Sequence, residues 1–164
     1  MYPIVDIARS LPIARPGKDF PLERFEALIV HKTDADGSTA RGTAEFHIGP
    51  ERKWSHIAYH FYVGKAAVLY QTLPLSWIGI HAPPNYSRCG LVLVGKCSDP
   101  MTSAQSAALP EVLSTILSLM NQGRVKAPLT LAQVQGHLEA MPGHTDCPGD
   151  DVLKTLASLR HPQT

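Results

Sequence analysis

The sequence predicts one α/β domain in which a central mixed β-sheet carries helices packed on its faces. Three observations predict it. Short continuous apolar runs, of the kind that fill buried strands, alternate with segments of helical periodicity. The 164 residues suit a single core. The composition, 44% hydrophobic and 18% charged, is that of a globular chain rather than a disordered one.

The elements follow in order. Residues 1–24 are rich in proline and charge and read as a lead-in that wraps the domain formed by residues 25–164. Ala27 to His31 is a continuous apolar run, a buried strand. Asp36-Gly37 is a turn signal, and a short helix is expected around Thr39 to Phe46. Ile57 to Val63, rich in β-branched and aromatic residues, reads as a strand. Gly64 and Lys65 turn it into a second, Ala67 to Leu73. Ile78 to Ser87 holds Gly79, Pro83, Pro84 and Asn85 and reads as a loop. Gly90 to Val94 is apolar throughout and predicts a central strand.

Thr102 opens the clearest helix, because Thr102-Ser-Ala-Gln105 fits a capping box. Leu109, Val112, Leu113, Ile116, Leu117 and Met120 then make one apolar stripe. Pro110 predicts a kink or a later start, and Gly123 the end. Leu129 to Gln135 returns as a strand. Asp150 to Leu159 makes a last helix whose acidic start suits the dipole.

The formal net charge is +1, with Lys and Arg scattered, so nothing tracks a phosphate backbone and nucleic acid is not an expected partner. No stretch approaches the ~20 apolar residues of a membrane span. The first sixteen residues are broken by Pro3, Asp6, Arg9, Pro12 and Arg15, unlike a secretory signal. Synthesis in the cytoplasm and a monomer are expected. The three cysteines, Cys89, Cys97 and Cys147, do not form a disulfide framework. Cys89 and Cys97 flank the Gly90–Val94 run, which if extended sets them about 26 Å apart at ~3.3 Å per residue, and both read as inert small hydrophobes.

The chemistry concentrates in Gly136-His137-Leu-Glu-Ala-Met-Pro142-Gly143-His144-Thr145-Asp146-Cys147-Pro148-Gly149. A histidine and a cysteine ten residues apart, joined by a Pro- and Gly-containing loop, can meet on one ion. Zinc favours imidazole and thiolate in tetrahedral geometry, and a catalytic zinc takes three protein ligands and leaves a fourth position open. His31, at the end of the first strand, is the best third candidate. Cys147 as a protease nucleophile is disfavoured by Pro148 and by the lack of a clear downstream histidine. His144 is either an exposed loop residue or an aid to proton transfer, while His47, His56 and His60 read as structural or exposed.

Five segments in register resemble the zinc N-acetylmuramoyl-L-alanine amidases, the family that includes amidase-type phage lysozymes and the peptidoglycan recognition proteins. They are Leu-Ile-Val-His31-Lys-Thr, Trp54-Ser-His-Ile-Ala-Tyr59-His-Phe, Gly79-Ile-His81-Ala with Asn85, Gly90-Leu-Val-Leu-Val-Gly95, and Gly136-His137 with Asp146-Cys147-Pro-Gly149. The resemblance covers roughly residues 25–160. It implies that His31, His137 and Cys147 bind zinc, that Tyr59 and Thr145 surround the reacting amide, and that His81 and Asn85 lie along the substrate groove. It also implies that the substrate is peptidoglycan, cut between N-acetylmuramic acid and L-alanine.

The chain departs from the family at three points. Many members have a shorter step between the last His and Cys; the longer step resembles the cytosolic branch that recycles wall fragments. Thr145 stands where several members carry Lys, and Leu91-Val-Leu93 lacks a Glu found in some relatives. A phage-type endolysin, released to the wall by another protein, is the first reading. A cytosolic recycling amidase and a non-catalytic peptidoglycan-binding module are the alternatives.

Overall fold

The computed structural model describes residues 1–122, 124 and 126–161. Six strands, β1 (Ile4–Asp6), β2 (Ala27–Lys32), β3 (Phe61–Val63), β4 (Leu69–Gln71), β5 (Arg88–Leu93) and β6 (Val134–Gly136), form one sheet in the order β1-β4-β3-β5-β2-β6. The β3–β4 pair is antiparallel and every other pair is parallel, so the sheet is mixed as expected. Four α-helices accompany it: α1 (Ala40–Ile48), α2 (Ser103–Met120), α3 (His137–Ala140) and α4 (Asp150–Arg160). No helix among the described residues is long and apolar enough to cross a membrane.

Side-chain alternation sorts the two faces. Leu28 and Val30 of β2 and Cys89, Leu91 and Leu93 of β5 pack with the α2 stripe and with Val152 and Leu156 of α4. On the other face Val92 and Tyr62 pack with Ala40 and Ala44 of α1 and with Leu11 of the lead-in. His31 follows the second set and Lys32 the first. The fold thereby puts His31 under α1 and Lys32 under α4.

Several boundaries differ from the sequence reading, each for a local reason. The 57–60 stretch is buried but leaves the ladder. The His60 carbonyl accepts from Thr72 and Leu73, and Ala58 pairs with Ile80, so only residues 61–63 stay in register. The segment 131–133 winds into a 3-10 turn under a Thr130 capping box, which shortens the last strand to 134–136. α2 starts at its capping box and runs through Pro110 without a break. Both Pro110 and Ser106, whose carbonyl loses its helical donor, are exposed, so water can serve that carbonyl. Asn121 caps α2, and Gly123, expected at its end, lies outside the described residues. The lead-in does more than wrap: Ile4–Asp6 pairs in parallel with β4.

His60 is a buried strut. Its Nε2–H donates to the Trp77 carbonyl at 2.9 Å and its Nδ1 accepts the Gly90 N–H at 3.1 Å. A second ring proton would point at that N–H. Burial holds its pKa down to about 4 and does the same for His47, whose Nδ1 accepts the Ala58 N–H at 3.1 Å. In the unfolded chain both groups titrate near 6.5. Between pH ~6.5 and ~4 the unfolded chain therefore takes up protons that the fold refuses, and the stability these residues give above that window is lost as pH falls through it. Thermal unfolding in chelator, followed from pH 7 to 4, is expected to reveal a loss on the order of a few kcal/mol from the pair. His60→Gln should flatten the slope even though it lowers the starting stability.

Candidate metal centre

Three donors converge beyond the C-terminal ends of β2 and β6. His31 stands near the end of β2, His137 follows directly on β6, and Cys147 returns on the loop after α3. One ligand atom from each lies within 4.8 Å of the other two. The Cys147 Sγ is 3.8 Å from His31 Nδ1, and the two imidazole centroids are 4.5 Å apart. Ideal tetrahedral zinc puts S and N donors about 3.5 Å apart, from bond lengths of roughly 2.3 and 2.0 Å.

Local folding places each donor. The ten-residue step to Cys147 closes where the Leu138 N–H bonds the Cys147 carbonyl at 2.6 Å. Glu139 accepts the Gly136 N–H at 2.7 Å and pairs with Arg160 of α4 at 2.7 Å, pinning the start of α3. The Cys147 sulfur accepts the Lys32 N–H at 3.3 Å, and its own N–H goes to Thr145 Oγ1 at 3.0 Å. On the far face the buried Lys32 ammonium pairs with Asp151 at 2.9 Å and also donates to the Asp99 carbonyl.

Hydrogen bonds fix which imidazole nitrogen of His31 is free. His81 Nε2 lies 3.2 Å from the Arg88 carbonyl, which can only accept, so this nitrogen carries the proton. His81 Nδ1 is then an acceptor, and His31 Nε2, 3.0 Å away, donates to it. The His31 Nδ1 lone pair is left facing Cys147 and His137. A ligating histidine usually donates its other N–H in this way. Space for the relay comes from Gly90, where a Cβ would stand 2.8 Å from the His81 ring. The donor set and the tautomer fit a zinc ion held by His31, His137 and Cys147.

Electrostatics favours neutral imidazoles. His31 lies well below its ordinary pKa, by burial first and then by His81 and His137. Burial brings His81 down to about 3. His137 is lowered by burial and by Arg88. The Cys147 thiol is pushed up, first by contact with the Cys97 thiol and then by burial, while the Lys32 N–H pulls it down. A bound cation opposes that rise, because metal ligation deprotonates a thiol.

The cluster opens into a cleft of about 630 Å³ beneath α1, where Tyr59, His81 and Thr145 join the three donors on the lining. The Tyr59 ring lies tilted 5.1 Å from that of His31, and burial, followed by Cys147, keeps its hydroxyl protonated. A larger cavity of about 820 Å³ flanks the far side of Cys147 but is lined by neither His31 nor His137. Asn85 spends its side-chain carbonyl on the N–H groups of His81 and Ala82, at 3.0 Å each, so it braces the loop that carries His81. His144 is exposed and lines neither cavity, and His47 and His56 are buried.

Two features escaped the sequence reading. One is the His31–His81 bond, which no spacing signals across fifty residues. The other is Cys97, expected to be inert, which is partly exposed and shares the lining of the larger cavity with Cys147.

A family model described as N-acetylmuramoyl-L-alanine amidase matches residues 21–150. No curated protein sequence matches significantly. Among solved structures, the N-acetylmuramoyl-L-alanine amidase LysC of Clostridium intestinale superposes with a TM-score of 0.75 at 23% identity, over 98% of this chain and 99% of that one. The Ph2119 endolysin of a Thermus scotoductus bacteriophage gives 0.73 at 21%, over 96% and 98%. Drosophila peptidoglycan recognition protein SD gives 0.75 at 19%, over 96% and 94%. Likeness at these identities establishes the fold.

The relay predicts that His81 governs metal affinity without being a ligand. His81→Phe fills the same slot but removes the acceptor for His31 Nε2. Zinc affinity measured by chelator competition is expected to fall about 10–100-fold, beyond the drop in stability that the metal-free protein shows from losing two buried hydrogen bonds. Unchanged affinity would show that the tautomer of His31 is set elsewhere.

Proposed function

The chain belongs to the N-acetylmuramoyl-L-alanine amidase family, and from that premise we propose that it is a zinc-dependent hydrolase of the amide joining N-acetylmuramic acid to L-alanine in peptidoglycan. The observation that carries this reading is the open three-donor cluster, with the His31 Nδ1 lone pair aimed into it by the His81 relay. Three protein donors beside a cleft leave room for substrate, as a catalytic site requires.

Zinc in such a site supplies Lewis acidity, lowering the pKa of water to about 7 and polarising an amide carbonyl. The chain's own residues do the remainder. Tyr59, protonated and beside His31, donates to charge developing on the carbonyl oxygen. The Thr145 oxygen accepts the Cys147 N–H, and its O–H, on the cleft lining, is free to serve as a second donor. Thr145 replaces the cation of some relatives with a neutral group. Tyr59 therefore carries more of the oxyanion stabilisation here. His81 and Asn85 act on the substrate through the cleft wall they hold rather than as its main contacts.

We favour an endolysin acting on intact wall. The tests separate the alternatives. Release of new L-alanine amino termini from purified peptidoglycan is expected from the zinc-loaded protein, and is lost on chelation and in Cys147→Ser. Cleavage of soluble muropeptides alone would favour a recycling enzyme, and wall binding without cleavage a recognition module. Tyr59→Phe is expected to lower kcat about 100-fold with KM nearly unchanged, the usual weight of one oxyanion donor. A loss confined to KM would instead make Tyr59 a binding residue.

A further inference from the structure

Residues 14–20 form a fixed wall beside the metal cleft. Ala14 and Arg15 both donate their N–H to the Ser55 carbonyl, at 2.8 and 3.1 Å. Phe20 donates to Ser76 at 2.6 Å, and Ile78 donates back to the Lys18 carbonyl at 3.2 Å. Gly17 lies against Trp77, where a Cβ would stand 2.6 Å from ring carbons, so a larger residue would push the segment off.

This wall borders a groove of about 490 Å³ with an apolar floor of Ile78, Ile80 and Pro84. Ile80 also lines the metal cleft, so the two spaces adjoin. Arg15 and Lys18 stand on the rim, both exposed. Neither has an ion pair or side-chain hydrogen bond among the described residues. Asp19, next in the chain, is not on the lining, and the only other titratable group there is His56, whose ring nitrogen is taken by the Ile57 carbonyl at 2.8 Å. The groove therefore presents two unpaired cations over an apolar floor, next to the place where the amide is cut.

We propose that this groove is a subsite for a carboxylate-bearing part of the stem peptide, with Arg15 and Lys18 as its specificity-determining residues. The proposal rests on the peptidoglycan reading above. On that reading, with the L-alanine amide seated at the metal, the peptide would continue into the adjoining groove and bring there a carboxylate of its next residue, a D-glutamate in the test peptides below. A guanidinium on a rigid backbone can grip that group in bidentate fashion, and a lysine adds a mobile second charge. The lead-in thus reads the peptide while the metal cleft cuts it.

The test uses the zinc-loaded full chain and product peptides, which have no muramyl amide left to cut. One is a stem tripeptide with a free D-glutamate α-carboxylate, and the other is its amide. Calorimetry at low salt should show the acid bound about fivefold more tightly, the weight of one favourable exposed ion pair. Arg15→Gln/Lys18→Gln should bind both peptides equally, at the wild-type affinity for the amide. Equal affinities in the wild type, or a preference kept by the double variant, would overturn the subsite and leave the amidase reading standing. Failure of the wild type to bind either peptide would remove the stem-peptide reading of the cleft, and this subsite with it. Zinc content, measured on the same samples, is expected to be equal in both proteins.

Discussion

The last two residues of β2 hold the site from opposite faces of the sheet. β2 is buried between two parallel neighbours, β5 and β6, so its side chains must alternate in direction. His31 turns toward α1 and the cleft. Lys32 turns toward α4, where its ammonium meets Asp151, while its main-chain N–H reaches back to the Cys147 sulfur at 3.3 Å. One dipeptide thus supplies a candidate metal ligand, a hydrogen bond to a second candidate, and an anchor for α4. A slip of one residue would send His31 into the apolar core and expel Leu28 and Val30 from it. The register is therefore enforced by the core, and the site inherits its precision from packing rather than from its own polar contacts.

Burial then does chemical work on the polar groups it encloses. An unpaired charge in this core would cost several kcal/mol, so each buried group is neutral or partnered. The Lys32 ammonium is received by Asp151 and the Asp99 carbonyl. His60 and His81 stay neutral, each donating to a carbonyl through one nitrogen and accepting through the other. Neutral histidine is what a metal binds, so the desolvation that depresses these imidazoles also prepares His31 for ligation. The same logic leaves Tyr59 as a protonated donor at the cleft wall.

Much of this was legible in the chain. Apolar runs marked β2 and β5, the capping box marked the first turn of α2, and three ligand-type residues in family register marked a site that the fold does bring together. What stayed hidden depends on contacts between distant segments. The 57–60 stretch has strand composition, yet Ala58 pairs with Ile80 of a loop and only the His60 N–H reaches β5, at the Gly90 carbonyl, which no local pattern reveals. Ile4–Asp6 is too short for alternation to identify, and it becomes a strand only because β4 offers an edge. His81 was legible as important but not in its role, because a family motif fixes a residue type while the partner, His31, is set by the packing of β5 against β2. The place of Cys97 was hidden for the opposite reason. An extended path from Cys89 separates those two thiols, but it says nothing about how near Cys97 comes to Cys147.

The ten-residue step between His137 and Cys147 shows what loop length controls here. The loop is closed at its base, where Leu138 and Cys147 pair at 2.6 Å, and by Glu139, which ties α3 to β6 and α4. Lengthening such a loop by a quarter adds only about 0.2 kcal/mol of closure entropy. Residues 142–144 are exposed and lie outside the donor cluster. Length is therefore spent on the rim. Thr145, at the end of this excursion, is the residue by which the loop faces both cavities that flank Cys147. Variation in the step should alter how the cleft meets its substrate while leaving the metal position unchanged, which is why a departure from the family spacing is compatible with an intact centre.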